Sequence, residues 1–274
     1  MKRKAKVKAT KEIDLMMEQI VKSFNLSPQL EEAALYTLKL PGKRLRPKLV
    51  LASAQDFDVD EEIAMKVACA TEMMHAGSLI HDDLPSIDND SYRRGMPSNH
   101  VKFGEDVAIM AGDLLFSIAG YTCTESKNNN VIKAFTRTLI ELVNGETMDI
   151  LMAKSKEMPS KEEILKMYRG KTGSLFAFAF SFGSLMAGQD ATPYAEAGYS
   201  FGIYFQILDD IMDLTATFEQ IGKTPRKDIE ENKATLVRII GVEESKKFAD
   251  NLHGEILSKI GNGHLYKTVK EILG

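Results

Sequence analysis

With 274 residues, 44% hydrophobic and 27% charged, the chain has ample apolar material for a buried core. The formal net charge of −4 gives no electrostatic reason to expect nucleic acid as a partner, and the two cysteines, Cys69 and Cys123, form neither a metal-binding spacing nor a disulfide framework. No Pro/Gly/Ser-rich linker, low-complexity tract or solenoid-period repeat interrupts the sequence, so a single domain over residues 1–274 is expected.

In chain order, Met1 to Lys11 is basic and no apolar run follows it, which reads as a solvated, fraying terminus rather than a secretory signal. Beyond it nearly every long segment carries the helical period. Ile63, Val67, Ala70 and Met74 share one face, and Ile132, Phe135, Leu139 and Val143 another. Alternating strand patterns are nearly absent. Breaks at 25–28, 41–42, 85–97, 127–130, 188–193 and 222–225 divide the chain into about ten helices. The longest apolar region, 174–188, is too short to cross a membrane, so no transmembrane segment is expected and the location reads as cytoplasmic. Within it, Phe176, Phe178, Phe180 and Phe182 recur with a period of two. That spreads the rings around a helix, most in the core and one or two lining a pocket.

Two acidic clusters carry the chemistry. The first, His81-Asp82-Asp83-Leu84-Pro85-Ser86-Ile87-Asp88, places Asp82 and Asp83 at the end of a helix beginning near Glu61. Pro85 cannot sit in a helix interior, so the chain should bend there and return Asp88 to the pair. The second, Asp209-Asp210-Ile211-Met212-Asp213, puts Asp209 and Asp213 about one turn apart on one face of an otherwise apolar helix. Carboxylates in such surroundings repel one another and lose solvation unless a cation joins them. Magnesium suits them, because it takes oxygen ligands, keeps waters, and binds through one or two carboxylates plus substrate phosphates. The pair of clusters implies a diphosphate held between them by several ions, the alternative being acidic helix ends in solvent.

Fixed positive charge accompanies both clusters. Gly42-Lys43-Arg44-Leu45-Arg46-Pro47 lies early, Arg93-Arg94-Gly95 follows Asp88, Lys171-Thr172-Gly173 opens the apolar region, and Lys223 and Lys233 follow the second cluster. Arginine grips phosphate oxygens with a planar fork and lysine acts as a compact point charge. Each group alone would read as a solvated surface charge.

These stretches, with H-A-G-S-L-I-H-D-D at His75 to Asp83, R-R-G-M-P-S-N-H at Arg93 to His100, A-G-D-L-L at Ala111 to Leu115 and F-Q-I-L-D-D-I-M-D at Phe205 to Asp213, resemble the trans-isoprenyl diphosphate synthase (polyprenyl synthetase) family, which includes farnesyl and geranylgeranyl diphosphate synthases. The resemblance implies an all-α isoprenoid synthase fold, an antiparallel helix bundle around a deep central cavity, and a homodimer. It implies magnesium-dependent, head-to-tail condensation of isopentenyl diphosphate with an allylic diphosphate, with three magnesium ions per site when diphosphate is bound. By similarity Asp82, Asp88 and Asp209 ligate magnesium, with Asp83 and Asp213 supporting. Arg93, Lys171, Thr172, Gln206 and Lys223 hold the allylic diphosphate, and Lys43, Arg46, His75 and Arg94 hold isopentenyl diphosphate. The family pattern is broken at Pro41, Lys227, Asn232 and Leu236-Val237. Glu146 stands where short-chain members often have glutamine, and it receives no role.

Product length should depend on what blocks a cavity beneath Asp82. At a helical rise of about 1.5 Å per residue, Gly77 lies about 7.5 Å and Met74 about 12 Å below Asp82, against roughly 5 Å for a prenyl unit. Similar enzymes that stop at farnesyl diphosphate usually carry an aromatic at the position of Gly77. Its absence, with the small Ser78 beside it and Met74 a turn further down, points to geranylgeranyl diphosphate, with farnesyl diphosphate close behind. The alternative for Gly77 is close helix packing. A class I terpene cyclase and a non-catalytic partner subunit of a prenyltransferase remain rival readings. The Lys43/Arg46/His75/Arg94 set argues against the first and the intact clusters against the second.

Overall fold

The computed structural model describes the backbone of residues 2–215 and 233–274, with side chains from Thr10 to Leu214 and from Lys233 onward. Among the described residues every regular element is helical, apart from one antiparallel ladder of two-residue strands. It forms two compact units.

The first unit comprises residues 1–51 and 60–132. It holds α1 (Lys2–Lys22), α2 (Pro28–Lys39), the start of α3 (Leu45–Asp56), α4 (Glu61–Asp82), β1 (Tyr92–Arg93), β2 (Met96–Pro97), α5 (Asn99–Phe103) and α6 (Glu105–Cys123). The basic terminus, expected to fray, instead continues α1 back to Lys2, in keeping with the high helix propensity of its lysines and alanine. Pro28 opens α2 at a position where its missing N–H costs nothing. Helix α4 starts at Asp60, whose carboxylate accepts the Ile63 N–H at 3.0 Å, and Glu61 and Glu62 complement the helix dipole in its first turn. It is buried almost all round, including the expected Val67, Ala70 and Met74. With the turn that follows it, α6 is long and apolar enough to span a membrane by length and composition (Glu105–Ser126), yet Ala108, Ala111, Leu115 and Ile118 are buried within this unit.

The second unit comprises residues 52–59 and 133–274. It contains α7 (Asn129–Lys154) from Lys133 on, α8 (Lys161–Tyr168), a π-helical turn (Arg169–Gly173), α9 (Ser174–Met186), α10 (Thr192–Thr215), α11 (Leu236–Ile240), α12 (Val242–Lys259) and α13 (His264–Leu273). Ser160 and Glu163 form a capping box at the start of α8. All four phenylalanines of α9 are buried in ring–ring contacts, Phe178 on Phe135 and Phe176 and Phe180 on Phe201. Ser53 ties α3 to α9, donating to the Phe180 carbonyl at 2.7 Å and accepting the Gly183 N–H at 2.9 Å. The expected α7 stripe is rotated. The buried face runs through Phe135, Thr138, Leu142, Gly145 and Asp149, whereas Val143 joins Ile140 in solvent. Apolar residues occur on both sides of α7, so periodicity alone could not choose between them.

Candidate active site

Helix α4 ends at Asp82, and the chain turns at once. Leu84 N–H donates to His81 O (3.1 Å), Ile87 N–H to Leu84 O (2.9 Å), and Asp88 N–H to the Asp82 carbonyl at 2.9 Å. Asp88 thus returns to the pair, as the proline implied. Asp82 and Asp88 are part-buried and Asp83 is buried. The Arg93 guanidinium grips Asp83, with Nε 2.9 Å from Oδ1, and its Nη2 bonds both Asp83 and Asp90, the latter at 3.3 Å. Burial works against the Arg93 charge, but Asp83, then Asp90 and Asp82, hold its pKa above the ordinary value. Arg93, expected on a diphosphate, therefore rests here on an acidic cluster.

Arg94 and Gly95, both with positive φ, form the two-residue turn between β1 and β2. The turn sends Arg94 toward the 40–42 segment, where Nη1 donates to the Leu40 carbonyl at 3.4 Å. It joins Arg46 near His75. The part-buried imidazole has its pKa driven well below 6.5, first by burial and then by Arg46, Arg94, Arg93 and Arg44. Burial likewise brings Arg46 down to about 10, opposed by Glu72. The expected Arg46/His75/Arg94 set is therefore brought together, and Lys43 is exposed. Arg44, which has no assigned role, is the structural member of the group. Buried with φ 49°, it reaches Asp14 at 2.8 Å, Glu72 at 3.0 Å and the Leu38 and Leu40 carbonyls. Nothing in the G-K-R-L-R-P spacing separates this clamp from its neighbour Arg46.

Below Asp82, Gly77 faces α6. A Cβ there would lie 3.1 Å from the Gly112 carbonyl and 3.2 Å from the Phe116 ring. Close helix packing thus accounts for the glycine, and Phe116 fills the space that an aromatic at 77 would claim. Ser78 is buried with its hydroxyl on the His75 carbonyl at 2.9 Å, and Met74 is fully buried.

In the second unit, Lys171 Nζ lies 2.9 Å from Glu146 and 2.5 Å from Asp149. Thr172 Oγ1 donates to Gln206 Oε1 at 2.7 Å, and Gln206 Nε2 donates to Asp210 Oδ1 at 3.0 Å. The Tyr168 hydroxyl donates to Asp210 and accepts the Leu236 N–H at 2.8 Å. Burial, then Asp210, raises the Tyr168 pKa, so it stays a neutral donor. Asp209 is exposed while Asp210 and Asp213 are buried. Sequence reasoning missed Asp210 and Tyr168. The spacing of Gln206 and Asp210, one helical turn apart, was the available signal for the first, and nothing pointed to the second. Lys223, Lys227 and Asn232 lie outside the described residues.

The candidate donors are all hard carboxylate oxygens. Among the described residues no three acidic, histidine or cysteine side chains converge as a ready cage. Such a set suits magnesium, which takes one or two carboxylates and completes its shell with water and phosphate oxygens.

Residues 27–272 match the family model for polyprenyl synthetase. The chain is 40% identical over 237 residues to a geranylgeranyl diphosphate synthase from Cyanophora paradoxa, covering 82% of this chain and 79% of that protein. Its fold is similar to the crystal structure of a geranyltranstransferase from Thermotoga maritima, with TM-score 0.88, 37% identity, and 98% and 97% of the two chains covered. A geranyltransferase from Helicobacter pylori, solved with magnesium and isoprenyl diphosphate, matches with TM-score 0.78 at 26% identity over 96% and 95% of the chains.

Proposed function

Since the chain belongs to the polyprenyl synthetase family, we propose that it is a magnesium-dependent prenyltransferase that joins isopentenyl diphosphate head to tail to an allylic diphosphate and stops at geranylgeranyl diphosphate. The observation that carries the reading is the closed first cluster, in which the Asp88 N–H returns to the Asp82 carbonyl while Arg93 holds Asp83. Names of relatives at 40% and 35% identity support the product length.

In this reading Asp82 and Asp88, with Asp83 behind them, and Asp209, with Asp213 behind it, hold the metal. Bound magnesium supplies the Lewis-acid charge that stabilises a departing diphosphate. Arg93, Lys171, Thr172, Gln206 and Lys223 orient the allylic diphosphate, and Lys43, Arg46, His75 and Arg94 orient isopentenyl diphosphate. Fixed cations of this kind act where negative charge develops, with no reorganisation at the moment of reaction. Apolar walls keep water from the allylic cation until the isopentenyl double bond attacks it. Proton loss to the released diphosphate then completes the product, so no side-chain nucleophile is required.

The chain acts as one catalytic domain in a soluble, cytoplasmic homodimer. For self-association the supporting observation is the exposure of Ile109, Met110 and Tyr121 on α6 and of Ile140, Val143 and Leu151 on α7, more apolar surface than a solvated helix face needs.

A product assay tests the reading. Purified protein receives magnesium, labelled isopentenyl diphosphate and dimethylallyl, geranyl or farnesyl diphosphate, and products are separated by length. Magnesium-dependent elongation ending at geranylgeranyl diphosphate is expected. Turnover of an allylic diphosphate without isopentenyl diphosphate would favour a cyclase, and no turnover by the folded protein would favour a partner subunit.

A further inference from the structure

Lys171 is placed by backbone as much as by charge. The Arg169–Gly173 segment is a single π-helical turn, and such turns recur at functional sites. It lies so close to α7 that a Cβ on Gly145 would come within 2.1 Å of the Lys171 nitrogen, and one on Gly170 within 3.1 Å of Gly145. That approach delivers the ammonium to two carboxylates of the same helix, Glu146 beside Gly145 at 2.9 Å and Asp149 one turn on at 2.5 Å. All three side chains are largely enclosed, at 18%, 12% and 9% exposure. One carboxylate suffices to neutralise and orient an ammonium. A second adds negative charge where the proposed reaction requires a cation for a polyanion.

We propose that Glu146 is a positioning residue that competes with the diphosphate for Lys171, Asp149 orienting the ammonium while Glu146 lowers affinity for the anion and eases its release. This rests on the prenyltransferase reading above, which places a diphosphate on Lys171. A bound diphosphate oxygen would share the ammonium with Glu146 and sit a few ångströms from a like charge in a partly enclosed site, where such repulsion is only partly screened. Asp149 remains to hold the lysine when Glu146 is neutralised, so loss of the charge frees the cation without letting it swing away.

The test is a thermodynamic cycle read by calorimetry with magnesium diphosphate as the probe. E146Q should bind it about tenfold more tightly than the parent, a difference of about 1.4 kcal/mol. The same change made in a Lys171→Met background should give a clearly smaller gain, because the carboxylate then has no cation to occupy and only its direct repulsion of the anion is removed. Glu146→Ala, which removes the charge by another route, should shift binding in the same direction. In turnover, E146Q should lower KM for the allylic diphosphate more than it changes kcat. Unchanged or weaker binding by E146Q, or an equal gain without Lys171, overturns the proposal. If the parent turns over no prenyl diphosphate, the functional reading fails, while the binding cycle still reports on the clasp.

Discussion

Replacing Tyr168 with phenylalanine removes one oxygen from the second unit and leaves the ring in place. That oxygen donates to Asp210 and accepts the Leu236 N–H at 2.8 Å. The two partners fare differently when it goes. Asp210 keeps the Gln206 amide at 3.0 Å. Leu236 is the first residue of α11, where a backbone N–H has no partner within its own helix. It is fully buried, so the amide loses its partner with little access to water. A buried donor left unsatisfied costs about 1–3 kcal/mol, and we expect Tyr168→Phe to lower the apparent unfolding free energy by about 2 kcal/mol. For a chain of this size, at about 2.1 cal/mol/K of unfolding entropy per residue, that corresponds to a fall in Tm of roughly 3–4 °C. Urea unfolding followed by circular dichroism measures the first quantity and a thermal melt the second. Magnesium-dependent turnover should also fall, since Asp210 adjoins Asp209. A loss below about 0.5 kcal/mol, within the range of an ordinary surface substitution, would refute the assignment of this hydroxyl as a buried strut.

Because the folded His75 pKa lies below its unfolded value, the unfolded chain binds the extra proton and stability must rise with pH through the region just below 6.5. Between pH 6.5 and 5.5 the parent should lose about 1 kcal/mol that His75→Gln does not, and parallel pH curves for the two proteins would exclude this. Asp82→Ala should abolish most turnover with the helical circular dichroism unchanged; near-native activity would remove Asp82 from the metal set. Gly77→Tyr must displace Phe116 and should destabilise the protein by about 1–3 kcal/mol through overpacking. The double variant Gly77→Tyr/Phe116→Ala should recover stability and shorten the product, and an unchanged product would place the chain-length floor elsewhere.

The helical class was legible because 3.6-residue periodicity and breaks at proline and glycine are local properties. The helix expected to begin near Glu61 does begin there, and the return of Asp88 to Asp82 was argued from Pro85. Orientation was less legible. The apolar stripe of α7 was assigned about a quarter turn out, Phe135 excepted, since Ile140 and Val143 form a second apolar face that only a three-dimensional neighbour could distinguish. The same limit applied to charge. A sequence shows that Arg44 and Arg46 are both cationic, but only the left-handed backbone at Arg44 and the position of Glu72 make one a buried clamp and leave the other beside His75. Gly77 carried two readings, and the 3.1 Å approach of the Gly112 carbonyl accounts for it by packing without excluding an influence on the tail.

A common physical pattern runs through both units. Arg93 rests on Asp83, Arg44 on Glu72, and Lys171 on Glu146 and Asp149. A cation enclosed in protein needs a counter-charge, because desolvation of an unpaired one costs several kcal/mol. A site that is to receive a diphosphate must therefore either leave its cations in water, where they bind weakly, or hold them on carboxylates that the substrate later displaces or shares. In the proposed site Lys43 would follow the first course, being exposed, and Arg93 and Lys171 the second. Affinity for the anion is then set by the difference between two ion pairs rather than by the number of cations. That difference also governs release of the product, which still carries a diphosphate. Removing the resting partner, as in E146Q, should for this reason tighten binding more readily than adding a further lysine.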